Sequence, residues 1–186
     1  MKNIYGFILA LLVCNAARAQ KFVPQIKAGT EMDYTVSLGG QKVGFALTVS
    51  SMGDSLKMKW EVADYGSGNY LMGAKSLQSG KGMYLQSPQP DQNVKLAETE
   101  TIAFISKNSF NDMTQKQTME FGDLKYVLDK ADKAPIRVAD QDLDVLHMVA
   151  TNGKTELWIL NNPDFPLICK TKNGSYGVDL TLDYIK

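Results

Sequence analysis

From Glu31 onward the chain alternates apolar and polar residues with a period of two, the pattern of a β-strand that buries one face. Met32, Tyr34, Val36 and Leu38 fall on one side, and Glu31, Asp33, Thr35 and Ser37 on the other. Gly39-Gly40 follows, two residues that accept positive φ and so predict a tight hairpin. The return strand carries Val43, Phe45, Leu47 and Val49 on a single face. After the turn at Met52-Gly53-Asp54 the same alternation places Leu56, Met58, Trp60 and Val62 opposite Lys57, Lys59 and Glu61. These segments predict a meander with one apolar and one wet face.

The rest of the chain continues in this manner. A less regular strand is expected over residues 69–77, a short one over 83–86, and an exposed loop around Pro88 and Pro90. Further strands are expected at 101–105, 118–121, 126–128, 143–151, 155–160 and 167–171, with Asn152-Gly153 and Asn173-Gly174 as hairpin turns. The best helix starts at a Ser106 or Ser109 cap and runs to about residue 115, with Phe110 and Met113 three apart on one side. Tyr176, Val178, Leu180, Leu182 and Tyr184 share a face of the final strand. The expected fold is mainly β: a single curled antiparallel sheet, a half-barrel or flattened barrel, of about nine to eleven strands with one short helix. A β-sandwich is the alternative, because a large one-sided sheet has to cover its apolar face.

The first residues, MKNIYGFILALLVCNAARAQ, read as a signal peptide over 1–19. Lys2 precedes an apolar run from Ile4 to Val13, and Ala17-Arg18-Ala19 is a small-x-small cleavage site. That run is shorter than the roughly 20 residues a membrane-spanning helix needs. Val13 stands before Cys14 where an acylated cysteine wants Gly, Ala or Ser. The expectation is a periplasmic or secreted protein cut near Ala19-Gln20, with residues 20–186 forming one domain. Removal of Lys2 and Arg18 leaves 18 basic residues against 20 acidic, a net charge of −2. Seventeen of the 18 are lysines spread along the chain, and Arg137 is the one arginine, a composition unsuited to nucleic acid.

Few residues can carry chemistry. His147 is the only histidine and Cys169 the only cysteine beyond the leader. Zinc sites recruit several such ligands. A Cys169–His147 pair with Asp144 as orienter is conceivable, but Cys169 shares its strand parity with Leu167, which predicts a buried, unreactive thiol. Asp140, Asp142 and Asp144 resemble the start of a calcium loop, yet Val145 and Thr151 occupy the positions where that loop needs Gly and Glu. Two readings remain for this triplet: solvated charges lining one strand face, or a weak calcium site. Glu98 and Glu100 lack the flanking aromatics of a glycosidase pair. The glycines of GGQKVG precede strand-like alternation rather than the helix a phosphate loop requires. Eight methionines scattered beyond Met1 read as core filler, although methionine-lined cavities also suit apolar ligands.

The order Asn152-Gly153, TELWILN, a proline-bearing link and FPLICKTKNGSYGVDLTLDYI resembles the closing hairpins of the LolA/LolB-like lipoprotein-carrier superfamily and of secreted half-barrel families near it. The hairpin YTVSLGGQKVGFALTVSS is similar to the opening of such proteins. The resemblance implies an envelope half-barrel; the carriers' lid-tethering arginine has no counterpart, because Arg137 stands in a different context. The functional expectation is a non-enzymatic binding protein, without cofactor and without bound metal, that holds an apolar or lipid-like ligand on its concave face. The candidate lining is Tyr34, Phe45, Leu47, Met58 and Trp60. The alternative is an envelope interaction or assembly protein acting through protein–protein contacts. The expected partners are therefore a hydrophobic ligand or an envelope protein, and the expected state is a monomer.

Overall fold

The computed structural model describes residues 21–131 and 135–186. The expected leader over 1–19 and its cleavage site lie outside the described residues. Eleven strands form one sheet with no barrel closure. The first meander is β1 (Glu31–Leu38), β2 (Gln41–Ser51), β3 (Leu56–Val62) and β4 (Gly66–Met72). Gly39 and Gly40 both adopt positive φ, 58° and 83°, and the register Leu38↔Gln41 makes them a two-residue turn.

The chain then leaves the sheet. Helix α1 (Ala74–Ser79) stands where the sequence suggested the end of a strand. Its residues AKSLQS hold no β-branched or aromatic side chain, and Ala, Lys, Leu and Gln favour helix. Short strands β5 (Gly82–Met83) and β7 (Glu100–Thr101) pair with each other in parallel, apart from the main sheet. Between them β6 (Asn93–Lys95) pairs in parallel with β4, the one parallel contact in an otherwise antiparallel sheet.

Helix α2 (Lys107–Lys116) is the helix expected from sequence, and Ser106 is its N-cap: the Ser106 hydroxyl accepts from the Ser109 amide. Lys116 in the last turn suits the negative end of the helix, and Gln117 ends it in a left-handed conformation. The second half supplies β8 (Thr118–Phe121), β9 (Leu124–Leu128), β12 (Val145–Ala150), β13 (Glu156–Leu160), β14 (Ile168–Lys172) and β15 (Val178–Ile185). A separate ribbon is made by β10 (Arg137–Val138) and β11 (Gln141–Asp142). The sheet order is β6-β4-β3-β2-β1-β15-β14-β13-β12-β9-β8, so the first and final strands of the sheet meet in its interior.

The apolar sides of the strands face inward as the alternation predicts. Met32, Leu47, Val49, Met58 and Trp60 are fully buried, while Lys59 and Glu61 stay outside as an ion pair at 2.8 Å. One apolar cluster lies under β1–β4 and β15 and reaches Leu160 of β13 and Cys169 of β14. A second lies under β8, β9 and β12–β14, where Phe110 and Met113 of α2 cover it. The expected parity of the last strand fails at its end. The register passes from Tyr34↔Leu182 to Asp33↔Tyr184 across a bulge, so Tyr184 is exposed and Ile185 packs on the core instead. One extra residue exchanges the faces of everything beyond it.

Trp60 is accommodated by an absence of side chain across the ladder. Gly68 is its register partner on β4, and a Cβ there would lie 2.7 Å from Trp60 Nε1 and 2.6 Å from the Gln92 carbonyl oxygen. Both neighbours are rigid, so Gly68→Ala is expected to destabilise the protein by about 1–3 kcal/mol through overpacking. Thermal unfolding of the variant checks this: an unchanged Tm would show that the junction of β3, β4 and β6 has room to spare.

Candidate functional site

A cavity of about 510 Å³ lies against the inner face of the first meander and β15. This is within the roughly 300–1,000 Å³ of small-molecule sites. Its floor comes from alternate residues of adjacent strands: Tyr34 and Val36 of β1, Phe45 of β2, and Val178 and Leu180 of β15. Tyr70 of β4 closes one side. The roof is not sheet but the connection after β5, residues 83–88, together with Ile102 and Ala103.

That roof is fastened at its far end. Tyr65, in the β3–β4 turn, donates its hydroxyl to the Pro88 carbonyl at 2.9 Å. The Asp91 amide donates to the Ser67 carbonyl, and the Asn69 amide to that of Gln92, each at 2.8 Å. Within the roof, Tyr84 meets Tyr70 edge-on with ring centroids 5.5 Å apart. The mouth is apolar too: Leu38, Val43 and Tyr65 line it and are about half exposed.

No Asp, Glu, Lys, Arg or His side chain lines this cavity among the described residues. The titratable groups that line it are tyrosines. Burial raises the Tyr34 hydroxyl well above its ordinary range, helped by the nearby Cys169. Burial likewise raises Tyr70 and Tyr84. Tyr34 also donates its proton to the Ile168 carbonyl at 3.0 Å, so its hydroxyl is occupied by the fold. The site therefore offers apolar surface with almost no polar anchorage, an environment for hydrocarbon rather than for charged groups.

Of the five residues expected from sequence, Tyr34 and Phe45 line the cavity. Leu47, Met58 and Trp60 share the same face, but they are fully buried and do not line the cavity; the rings of Tyr65 and Tyr70 stand 6.4 and 6.5 Å from that of Trp60. The alternation identified the face but not the depth along it. It also missed the roof, although the run Met83-Tyr84-Leu85, hemmed by Gly82 and Pro88, is the signal that would have found it.

The residues weighed for catalysis are dispersed. Cys169 is fully buried and burial raises its thiol to about 12, so no thiolate forms near neutrality. His147 faces Glu156 Oε2 at 2.8 Å and Asp129 Oδ2 at 3.2 Å and stacks on Trp158, rather than joining Cys169 or Asp144. Asp144 accepts from the Asn161 side-chain amide at 2.9 Å. The aspartate triplet is split as well. Asp142 pairs with Arg137 Nε at 2.8 Å across the β10–β11 ribbon, and Asp140 sits in its turn with positive φ. Among the described residues no group of three or more His, Cys, Asp or Glu side chains is placed to hold a metal ion. Glu98 and Glu100 diverge: Glu98 takes Lys75, and Glu100 accepts from the Ala97 amide.

Comparison of the chain with protein-family models, with curated proteins and with solved structures gives no match. Among the described residues no helix is long and apolar enough to cross a membrane.

Two outcomes follow from these environments. Iodoacetamide at neutral pH is expected to leave Cys169 unmodified in the folded protein and to label it only after unfolding; rapid native-state labelling would contradict the burial. Glu156 is held below its usual carboxylate range, chiefly by its hydrogen bond with Lys172 and also by His147, against an opposing effect of burial. A depressed carboxylate contributes stability in full above its unfolded pKa and loses it as pH falls through the folded value. Lys172→Met should therefore weaken the acid dependence of unfolding below about pH 4.5, as read by denaturant midpoints from pH 3 to 7. Identical profiles for the two proteins would refute the coupling.

Proposed function

We propose that this protein is a non-enzymatic binding protein that holds an apolar, lipid-like ligand in the cavity over β1, β2, β4 and β15. The observation that carries this reading is the cavity itself: about 510 Å³ of space with aromatic and aliphatic walls, an apolar mouth and, among the described residues, no charged lining residue. A well-packed domain leaves few voids larger than a water molecule, so an open apolar space of this size is a place for a guest. An acyl chain gains about 0.8 kcal/mol for each methylene it buries, and the tyrosines add aromatic surface without fixing a head group. The leader-like residues 1–19 place the protein, in this reading, beyond the cytoplasmic membrane, in keeping with the half-barrel resemblance of its first and closing hairpins.

Native mass spectrometry of the purified protein, with organic extraction of what it carries, tests the proposal. Retention of a neutral or acyl-bearing molecule, or displacement of a bound naphthylamine dye by dodecanol, is the expected result. Phe45→Glu, which puts a carboxylate into the floor, should weaken dye or dodecanol binding by tenfold or more, on the order of the cost of leaving a charge near hydrocarbon. A cavity that takes neither dye nor alkyl chain would remove the reading. It would then favour the alternative of an envelope interaction protein working through its open sheet edges, β6 and β8.

A further inference from the structure

A second cavity, of about 380 Å³, opens beside the first. Met83 and Leu85 line both, so these two side chains are the partition between them. The second cavity has a different character. Phe121, Tyr126 and Leu157 form its apolar part, but its lip is made by two turns that approach each other from opposite sides. One is the two-residue turn Gly122-Asp123 between β8 and β9; the other is the Ser175–Gly177 segment that links β14 to β15. A Cβ on Gly122 would stand 3.7 Å from the Ser175 hydroxyl oxygen, which measures how near the turns come.

Three side chains of this lip are not used by the fold in any evident way. Asp123 is the one charged residue that lines the cavity among the described residues, and it has no ion pair there. Ser175 lines it with a hydroxyl. Tyr176 is 88% exposed and holds a positive φ of 57°, a conformation uncommon for any residue with a side chain and least expected of a large one. An aromatic ring held in solvent by an unfavourable backbone, at the rim of a cavity, is an outlier of the kind that collects at binding sites.

We propose that this second cavity takes the polar head of the same amphiphile whose apolar tail lies in the first, and that the head is uncharged and hydroxyl-rich, as in a glycosyl or polyol lipid. This rests on the reading of the first cavity as an apolar-ligand site. Met83 and Leu85 are the surface over which tail passes into head, and an unbranched methionine side chain adapts readily to such a passage. The chemistry of the lip selects the head. Asp123 offers acceptors only, whereas Ser175 and Tyr176 offer a donor and an acceptor each. A sugar or polyol hydroxyl is likewise both donor and acceptor, and the apolar CH face of a pyranose fits flat against an exposed aromatic ring. An anionic head would meet the Asp123 carboxylate with no cation in the lining to offset it. A quaternary ammonium head would meet the Asp123 carboxylate and the Tyr176 ring but would make no hydrogen bond with the Ser175 and Tyr176 hydroxyls, which distinguishes it from a polyol head.

Calorimetric titration of the intact protein with four single-chain probes below their micelle concentrations tests this: dodecanol, dodecyl maltoside, dodecanoate and dodecyltrimethylammonium. Dodecyl maltoside is expected to bind about tenfold more tightly than dodecanol, and dodecanoate no more tightly than dodecanol. In Asp123→Ala, Tyr176→Ala and Ser175→Trp, each at an exposed turn and each checked for an unaltered melting profile, the ratio of maltoside to dodecanol affinity should fall towards one. A maltoside with no advantage over dodecanol, an advantage that survives all three substitutions, or a preference for the anionic or ammonium head would overturn the proposal. Each of those outcomes would leave the first cavity's reading standing, because dodecanol still binds. Failure of all four probes to bind would overturn both.

Discussion

The pairing of β1 with β15 holds this molecule together. The register runs from Met32↔Ile185 to Leu38↔Val178, and it joins the meander of the first half to the strands of the second. The Tyr34 hydroxyl reinforces it from the inner face, reaching beyond the neighbouring strand to the Ile168 carbonyl on β14, 134 residues away in sequence. The larger apolar cluster draws on both halves of the chain, Met32, Leu47 and Trp60 from one and Leu160, Cys169 and Leu182 from the other, and this seam is what makes their strands one continuous surface. Both cavities depend on it: the first is floored by residues of β1 and β15, and the second is closed by the turn that leads into β15.

A sheet this wide presents more apolar surface than the two short helices among the described residues can cover. In the second half α2 does the covering, with Phe110 and Met113 packed into the cluster. In the first half no helix among the described residues lines the cavity, and the roof is mostly the irregular connection after β5, fixed by backbone hydrogen bonds and by Tyr65 at Pro88. A helix would interdigitate with the floor and fill the space. A loop anchored at its ends spans the floor instead, and the difference is the cavity. Met83, which packs on both clusters, is where the two solutions meet.

The sheet was legible in the sequence because period-two alternation is a local property. It survived in Met32 to Val62 with every expected inward residue on the inner side. The Ser106 cap and the buried parity of Cys169 were readable for the same reason. Properties set by distant partners were not readable. Leu47, Met58 and Trp60 look like lining when counted along their strands, yet they are fully buried and do not line the cavity. Tyr184 changed faces because of a bulge against β1, which nothing in its own neighbourhood signals. The aspartate triplet looked like one unit, but Arg137 takes Asp142 and Asn161 takes Asp144, pairings fixed by the ribbon and by the corner after β13. The roof residues lie in a stretch whose helix, short strands and turns follow no single period.

The position of β15 also has a temporal side. It is the last strand of the sheet to leave the ribosome, and it stands with five strands on either side of it. Until it arrives, β1 presents an unpaired edge and the first meander an unshielded apolar face, the combination that invites wrong pairing between nascent chains. Contacts between residues so far apart in sequence also close slowly. The arrangement that gives the finished molecule its continuous inner surface thus leaves the growing one dependent on whatever shields it in the interval, and loss of β15 would remove the centre of the sheet rather than trim its margin.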